Sequence, residues 1–176
     1  MPAPLMSLDL AVMLAVSVHE GQRDKAGLPY ILHPMRVMTV TEERTRMLFT
    51  LLQGSRRQAL TLRLEACIAA VLHDVLEDAN RQQFPRIEEE VAACSGVEAW
   101  EAIQRMTRGP GEAWSSYIER VCGHWISRLV KLIDMEHNSD LTRLPQVTLS
   151  DKDRLKRYAA AKADILDTAI AYHWPV

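Results

Sequence analysis

An all-α fold is predicted by three observations. Apolar residues recur at helical spacing through most of the chain, and no segment shows sustained alternation with β-branched enrichment. Glycine and proline are few, 7 and 8 of 176 residues, against plentiful Ala, Leu, Met, Glu and Arg, which favour helix interiors over turns. No internal repeat or linker divides the chain, and this length can bury one core of real size, so one domain over residues 1–176 is expected.

The elements follow in order. Ser7 can cap a first helix running to about Gly21, with Leu10, Met13, Leu14 and Val18 as its apolar stripe. Gly27-Leu28-Pro29 marks a loop, and Pro34 suits the first turn of a second helix. That helix carries Met35, Val37, Met38, Met47, Leu48, Leu51 and Leu52 before Gly54, with a break expected near Thr39-Val40-Thr41. The spacing of Leu60, Leu64, Ile68, Val71, Leu72, Val75 and Leu76 predicts one long helix over 56–79. Phe84-Pro85 starts a short helix through Ala93, stopped by Ser95-Gly96; another spans 97–106, before Gly109-Pro110-Gly111. Helical patterns resume over 112–121 and from 126 to 144, where Pro145 stops them. Ser150 with Asp153 three residues on resembles a capping box for a last helix toward Tyr172.

Charge and composition exclude several classes. A formal net charge of −2 gives no global basic field, so no nucleic-acid partner is expected. No apolar run approaches the ~20 residues of a membrane span. Asp9 interrupts the apolar stretch from Leu8 to Val18, and no basic segment precedes it, which argues against a signal peptide. Cys67, Cys94 and Cys122 lack metal-type spacing and read as free thiols of a cytoplasmic protein. There is no Gly-rich phosphate loop, no Ser nucleophile elbow and no HExxH.

Polar residues with chemical potential gather in three clusters. In His73-Asp74-Val75-Leu76-Glu77-Asp78, continuous helix would set Glu77 four residues after His73 and Asp78 four after Asp74, all on one face. Three acids and a histidine so close repel unless solvent or a cation screens them, so the face is either solvated or a metal site. In Pro29-Tyr30-Ile31-Leu32-His33-Pro34, His33 is fixed in direction at a helix start, as a ligand or as a hydrogen-bonded structural residue. Asp134 follows the apolar run Val130-Lys131-Leu132-Ile133 and is carried toward the interior, where a carboxylate needs an arginine, a cap or a metal. His137 and Asn138 continue that face.

In order, type and spacing these clusters resemble the HD-domain metal-dependent phosphohydrolases, and within them the RelA/SpoT-type hydrolase domain and the small alarmone hydrolases. The resemblance rests on His19-Glu20-Gly21-Gln22, on Lys25-Ala26-Gly27-Leu28-Pro29-Tyr30-Ile31-Leu32-His33-Pro34, on Ala70-Val71-Leu72-His73-Asp74-Val75-Leu76-Glu77-Asp78 and on Val130-Lys131-Leu132-Ile133-Asp134. Thr107, Gly111-Glu112 and Tyr117 echo a weaker middle motif. The resemblance implies a compact helical HD domain with one divalent ion, usually Mn2+, held by His33, His73, Asp74 and Asp134. It implies Glu77 and Asp78 as the acid/base pair, their two roles undivided. The implied substrate is the stringent-response nucleotide (p)ppGpp, cut at its 3′ end to give GDP or GTP and pyrophosphate. Lys25 matches a basic family position, Arg23, Arg36 and Lys131 are looser cation candidates, and Asn138 matches a position near the nucleoside.

The chain also departs from that pattern. Asp24 stands where the better-known alarmone hydrolases usually carry an Arg, and Met135-Glu136-His137-Asn138-Ser139-Asp140-Leu141 keeps only the His-Asn pair of the family's run after Asp134. The segment 39–64 is longer than expected, an extended helical hairpin or a contact surface for another subunit; a homo-oligomer is compatible with it. Two alternatives therefore stand beside (p)ppGpp hydrolysis. One is an HD-type phosphatase acting on a nucleoside monophosphate or NADPH, the other a low-turnover nucleotide-binding regulatory protein. Tyr30 reads as a packing residue, and Arg154, Lys156 and Arg157 as a solvated basic face. Trp100, Trp114, Trp125 and Trp174 read as packing residues. Most of the 176 residues are needed to frame such a site, which favours a hydrolase without a pyrophosphokinase domain.

Overall fold

A computed structural model describes residues 6–51 and 55–171. Among them the chain forms α1 (Leu8–Val18), α2 (Leu32–Leu51), α3 (Arg56–Leu72), α4 (Val75–Asp78), α5 (Ile87–Cys94), α6 (Val97–Met106), α7 (Trp114–Cys122), α8 (Trp125–Asn138) and α9 (Leu149–Ala171), with a 3-10 turn at Leu141–Arg143. None of the described helices is long and apolar enough to cross a membrane. The all-α expectation is met, and the described residues form no β-strand beyond an isolated bridge between Arg23 and Pro29.

α3 is the axis of the fold, with α1, α2, α6 and α8 packed around it. Its second half, Ala66 to Leu72, is buried on every side, which is what an all-apolar stretch requires. Ala66, Ala69 and Ala70 let neighbouring helices approach, while Ile68 and Leu72 are each fully buried and each contribute about 1.5–3 kcal/mol. Glu65, at the edge of this stretch, accepts the Ala99 backbone N–H at 2.8 Å and so caps α6 from another helix. Gly96 makes room for it: a Cβ there would overlap the Glu65 carboxylate.

Several boundaries differ from those the sequence predicts. Ser7 caps α1 as expected, accepting from Leu10 N, but α1 ends at Val18 and buries Ala11, Ala15 and Val18 while Leu10 and Met13 are exposed. α2 starts before Pro34 and runs through Thr39-Val40-Thr41 without a break. The hydroxyls of Thr41 and Thr45 donate to the carbonyls of Val37 and Thr41, so these residues are satisfied inside the helix. The predicted helix over 56–79 is broken at His73-Asp74 into α3 and α4. The helix predicted to reach 144 stops at Asn138, where Ser139 closes it by bonding back to Glu136 and His137 carbonyls. The capping box of α9 is Thr148 with Asp151, two residues before the predicted pair: Thr148 N and Oγ1 donate to Asp151 Oδ2, and Asp151 N donates to Thr148 Oγ1. The 39–64 segment is the α2–α3 hairpin, in which Arg63 pairs with Glu42; its Leu52 and Gly54 lie outside the described residues, as do Tyr172, His173 and Trp174. Trp100, Trp114 and Trp125 pack against the core. Cys67, Cys94 and Cys122 are free thiols.

Candidate active site

Three of the four candidate ligands stand where a helix begins or breaks. His33 lies in the first turn of α2, just before Pro34, whose missing N–H is tolerated there. The loop leading to it turns at Gly21 and Gly27, both at positive φ, and Asp24 Oδ1 holds it closed by accepting from Ala26 N and Leu28 N. His73 and Asp74 occupy the break between α3 and α4. Asp134 lies within α8, carried inward by buried Val130, Leu132 and Ile133.

These four residues meet. His33, His73 and Asp134 each offer a ligand atom within 4.8 Å of the others. His33 Nε2 is 3.2 Å from Asp134 Oδ1 and 3.6 Å from Asp74 Oδ2; His73 Nε2 is 3.0 Å from Asp74 Oδ2 and 3.8 Å from Asp134 Oδ1. Both Nε2 atoms are buried without a hydrogen-bond partner. In His73, Nδ1 lies 2.8 Å from the Ala70 carbonyl, which only accepts, so Nδ1 carries a proton and Nε2 is the nitrogen left to face the carboxylates.

Electrostatics agree that the cluster draws positive charge. Burial alone would lower the His73 pKa, but Asp74 and Asp134 outweigh it and raise it to about 10. Burial would raise both carboxylates, yet His73 beside Asp74, and Lys131 with the two histidines beside Asp134, hold them below the usual range. Two unpartnered imidazole nitrogens facing two carboxylates form a donor set that suits a divalent cation, with positions left for water and a phosphate oxygen.

Glu77 and Asp78 follow on α4, at the exposed rim. Glu77 Oε1 accepts from Arg108 N at 2.6 Å, and Asp78 Oδ2 lies 3.8 Å from His19 Nδ1. Partial burial raises both acids, and the nearby Asp74 carboxylate adds to it. Because the helix breaks at His73-Asp74, the four residues do not share one continuous helical face, as the sequence had suggested.

Beside the cluster lies a cavity of about 300 Å³, lined by the cations Arg23, Lys25, Arg143 and Arg154, by Tyr30 and Asn138, and by the acids Asp24 and Asp140. Lys25 Nζ pairs with Asp151 Oδ1 at 2.7 Å, and Arg23 donates to the Gly27 carbonyl. Asn138 gives its Nδ2 to Asp134 Oδ1 at 2.6 Å. Lys131 is placed otherwise: it is mostly buried and bound to Asp134 Oδ2 at 2.7 Å, beneath the cluster and not among the residues lining the cavity. Arg36 does not line it either.

Several residues acquire a part that the sequence reading did not give them. Tyr30, read as packing, donates its hydroxyl to Asp74 Oδ2 at 2.6 Å. Arg154, read as part of a solvated face, is largely buried in the cavity wall, 3.1 Å from Asp151, with its Nε unpartnered. Lys156 and Arg157 are exposed, as that reading expects. Asp151, Arg154 and Tyr158 fall at helical spacing and continue into buried Ala161 and Ile165, a signal already present in the pattern. Arg143 lines the cavity and bonds to His137, which in turn meets His33, contacts that no local spacing announces.

No family model matches the chain. Curated relatives do. The chloroplastic RSH1 of Arabidopsis thaliana, which carries a GTP diphosphokinase name, is 35% identical over 80 residues, 46% of this chain and 7% of that protein. A guanosine-3′,5′-bis(diphosphate) 3′-pyrophosphohydrolase of Borreliella burgdorferi is 29% identical over 157 residues, 86% of this chain and 21% of that protein. The bifunctional (p)ppGpp synthase/hydrolase SpoT of Escherichia coli is 28% identical over 138 residues, 73% of this chain and 17% of that protein. The chain thus spans at most 21% of the length of these relatives. Over 73–86% of its length the chain is similar to the RelA/SpoT-type proteins of Borreliella burgdorferi and Escherichia coli, and its helical architecture and the meeting of His33, His73, Asp74 and Asp134 agree with the HD-domain resemblance that its motifs carry.

Proposed function

We propose that this chain is a metal-dependent phosphohydrolase that removes the 3′-pyrophosphate of (p)ppGpp, with Mn2+ held by His33, His73, Asp74 and Asp134. The observation that carries this reading is the pair of buried, unpartnered Nε2 atoms of His33 and His73, facing Asp74 and Asp134 beside a cavity whose lining holds four cations. The names of the Borreliella burgdorferi and Escherichia coli relatives support the choice of substrate.

When bound, the cation supplies Lewis-acid charge at a phosphate oxygen and lowers the pKa of the attacking water. The chain's own residues do the rest. Arg23, Lys25 and Arg154 meet the phosphates with charge-assisted hydrogen bonds. Asn138 holds Asp134 with its amide and faces the nucleoside. Glu77 and Asp78 exchange protons with the attacking water and with the departing 3′ oxygen. Water adds to the phosphorus attached to that oxygen, the P–O bond breaks, the 3′ oxygen takes a proton, and GDP or GTP leaves with pyrophosphate.

The test is incubation of purified Mn2+-loaded protein with ppGpp, followed by nucleotide chromatography and a pyrophosphate assay. Equal yields of GDP and pyrophosphate are expected. Absence of turnover, or release of orthophosphate alone, would overturn the assignment.

A further inference from the structure

A hydrogen-bonded line runs from Asp24 and Arg143 in the cavity wall to the back of His33. Asp24 Oδ2 accepts from Arg143 NH2 at 2.8 Å. Arg143 NH1 lies 3.1 Å from His137 Nδ1 and also donates to the His137 carbonyl at 3.2 Å. His137 Nδ1 is in turn 2.7 Å from His33 Nδ1, with the two rings within 17° of parallel.

The direction of each hydrogen bond follows from chemistry. Arginine only donates, so His137 Nδ1 must accept. The proton between the two histidines therefore belongs to His33 Nδ1, which leaves the His33 Nε2 lone pair facing Asp74 and Asp134. That is the form of His33 able to bind a cation.

We propose that Asp24, Arg143 and His137 form a strut that fixes the tautomer and ring orientation of His33, so that a loop carboxylate outside the cluster sets its affinity for a divalent cation. Asp24 and Arg143 are positioning residues here: neither touches the cluster. The strut also assigns a purpose to Asp24, which stands where the family pattern has an Arg. Its Oδ1 closes the loop through Ala26 and Leu28, while its Oδ2 aims Arg143.

This inference rests on the cation-site reading above, and its test needs no nucleotide. Mn2+ affinity is measured by titration calorimetry, and the histidine tautomers by 15N-resolved NMR of the cation-free and Zn2+-loaded protein. Arg143→Met is expected to weaken cation binding by about 10- to 100-fold and to turn the His33 nitrogen shifts into those of mixed tautomers. Arg143→Lys keeps a donor and is expected to recover most of the affinity. The exchanged pair Asp24→Arg with Arg143→Asp rebuilds the charge pair without an arginine donor at 143, and is expected to stay weak. Wild-type affinity and an unchanged tautomer pattern in Arg143→Met would overturn the strut. So would full recovery by the exchanged pair, which would reduce it to a simple ion pair. Wild-type protein that binds no cation would instead overturn the reading of the cluster, and the nitrogen shifts of the cation-free variants would then decide the strut alone.

Discussion

Tyr30 donates its hydroxyl to Asp74 Oδ2 at 2.6 Å and thereby fixes the carboxylate that also faces both His33 and His73. Burial and the Asp74 carboxylate both push the Tyr30 phenol well above its ordinary range, so it remains a donor at any working pH. Tyr30→Phe removes that donor without changing the shape of the ring. Mn2+ affinity measured by calorimetry is expected to fall by about 10- to 100-fold; an unchanged affinity would show that Asp74 needs no such anchor.

Glu77 and Asp78 carry the proposed proton transfers. Glu77→Gln and Asp78→Asn are each expected to lower ppGpp turnover by about 10²- to 10⁴-fold, with Mn2+ affinity close to that of the wild type. Both acids are raised by partial burial, so each holds its proton to higher pH than a free carboxyl. The one acting as base loses activity as pH falls through its raised pKa. The one acting as acid loses it as pH rises through its own. Turnover followed against pH in the two variants divides the roles, since each variant lacks one limb.

Asp151 joins the start of α9 to the Lys25 loop, and its hydrogen bonds from Lys25 and Thr148 hold its pKa below the ordinary 3.8. A depressed carboxyl stabilises the fold above its unfolded pKa, and that contribution is lost as pH falls through the folded value. Asp151→Asn should therefore melt below the wild type at neutral pH, with the gap closing below pH 3.8. Thermal melts from pH 7 downward check this; a gap independent of pH would mean that Asp151 acts by packing alone.

Gly96 is a space requirement. A Cβ there would overlap the Glu65 carboxylate, which is held by Ala99 N in a buried site. Gly96→Ala is expected to cost about 1–3 kcal/mol and to lower Tm by roughly 2–4 °C for each kcal/mol. Combining it with Glu65→Ala relieves the clash, so the double variant should cost less than the sum of its parts.

The parts of this protein legible in its sequence are those decided locally. Helix content follows from apolar spacing, the Ser7 cap from one side chain, and the four ligand candidates from clusters with recognisable order. What escaped was decided between distant segments. Leu10 and Met13 have the right spacing for a buried stripe, yet α1, which packs against α3, buries Ala11 and Ala15 instead. The break at His73-Asp74 carries no Gly or Pro signal. Tyr30 and Arg154 each have a partner that no local pattern shows, Asp74 at 44 and the Asn138 carbonyl at 16 positions away.

His33 meets His137 across 104 residues, and Lys25 meets Asp151 across 126. During synthesis at about 5–20 residues per second, His137 leaves the ribosome about 5 to 20 s after His33. For that interval the early half of the cluster waits beside an unfinished wall, with nothing to fix the His33 tautomer. Cation capture therefore waits for α8: a nascent chain arrested before Asp134 would hold two histidines and one carboxylate, but not the pocket they are meant to share.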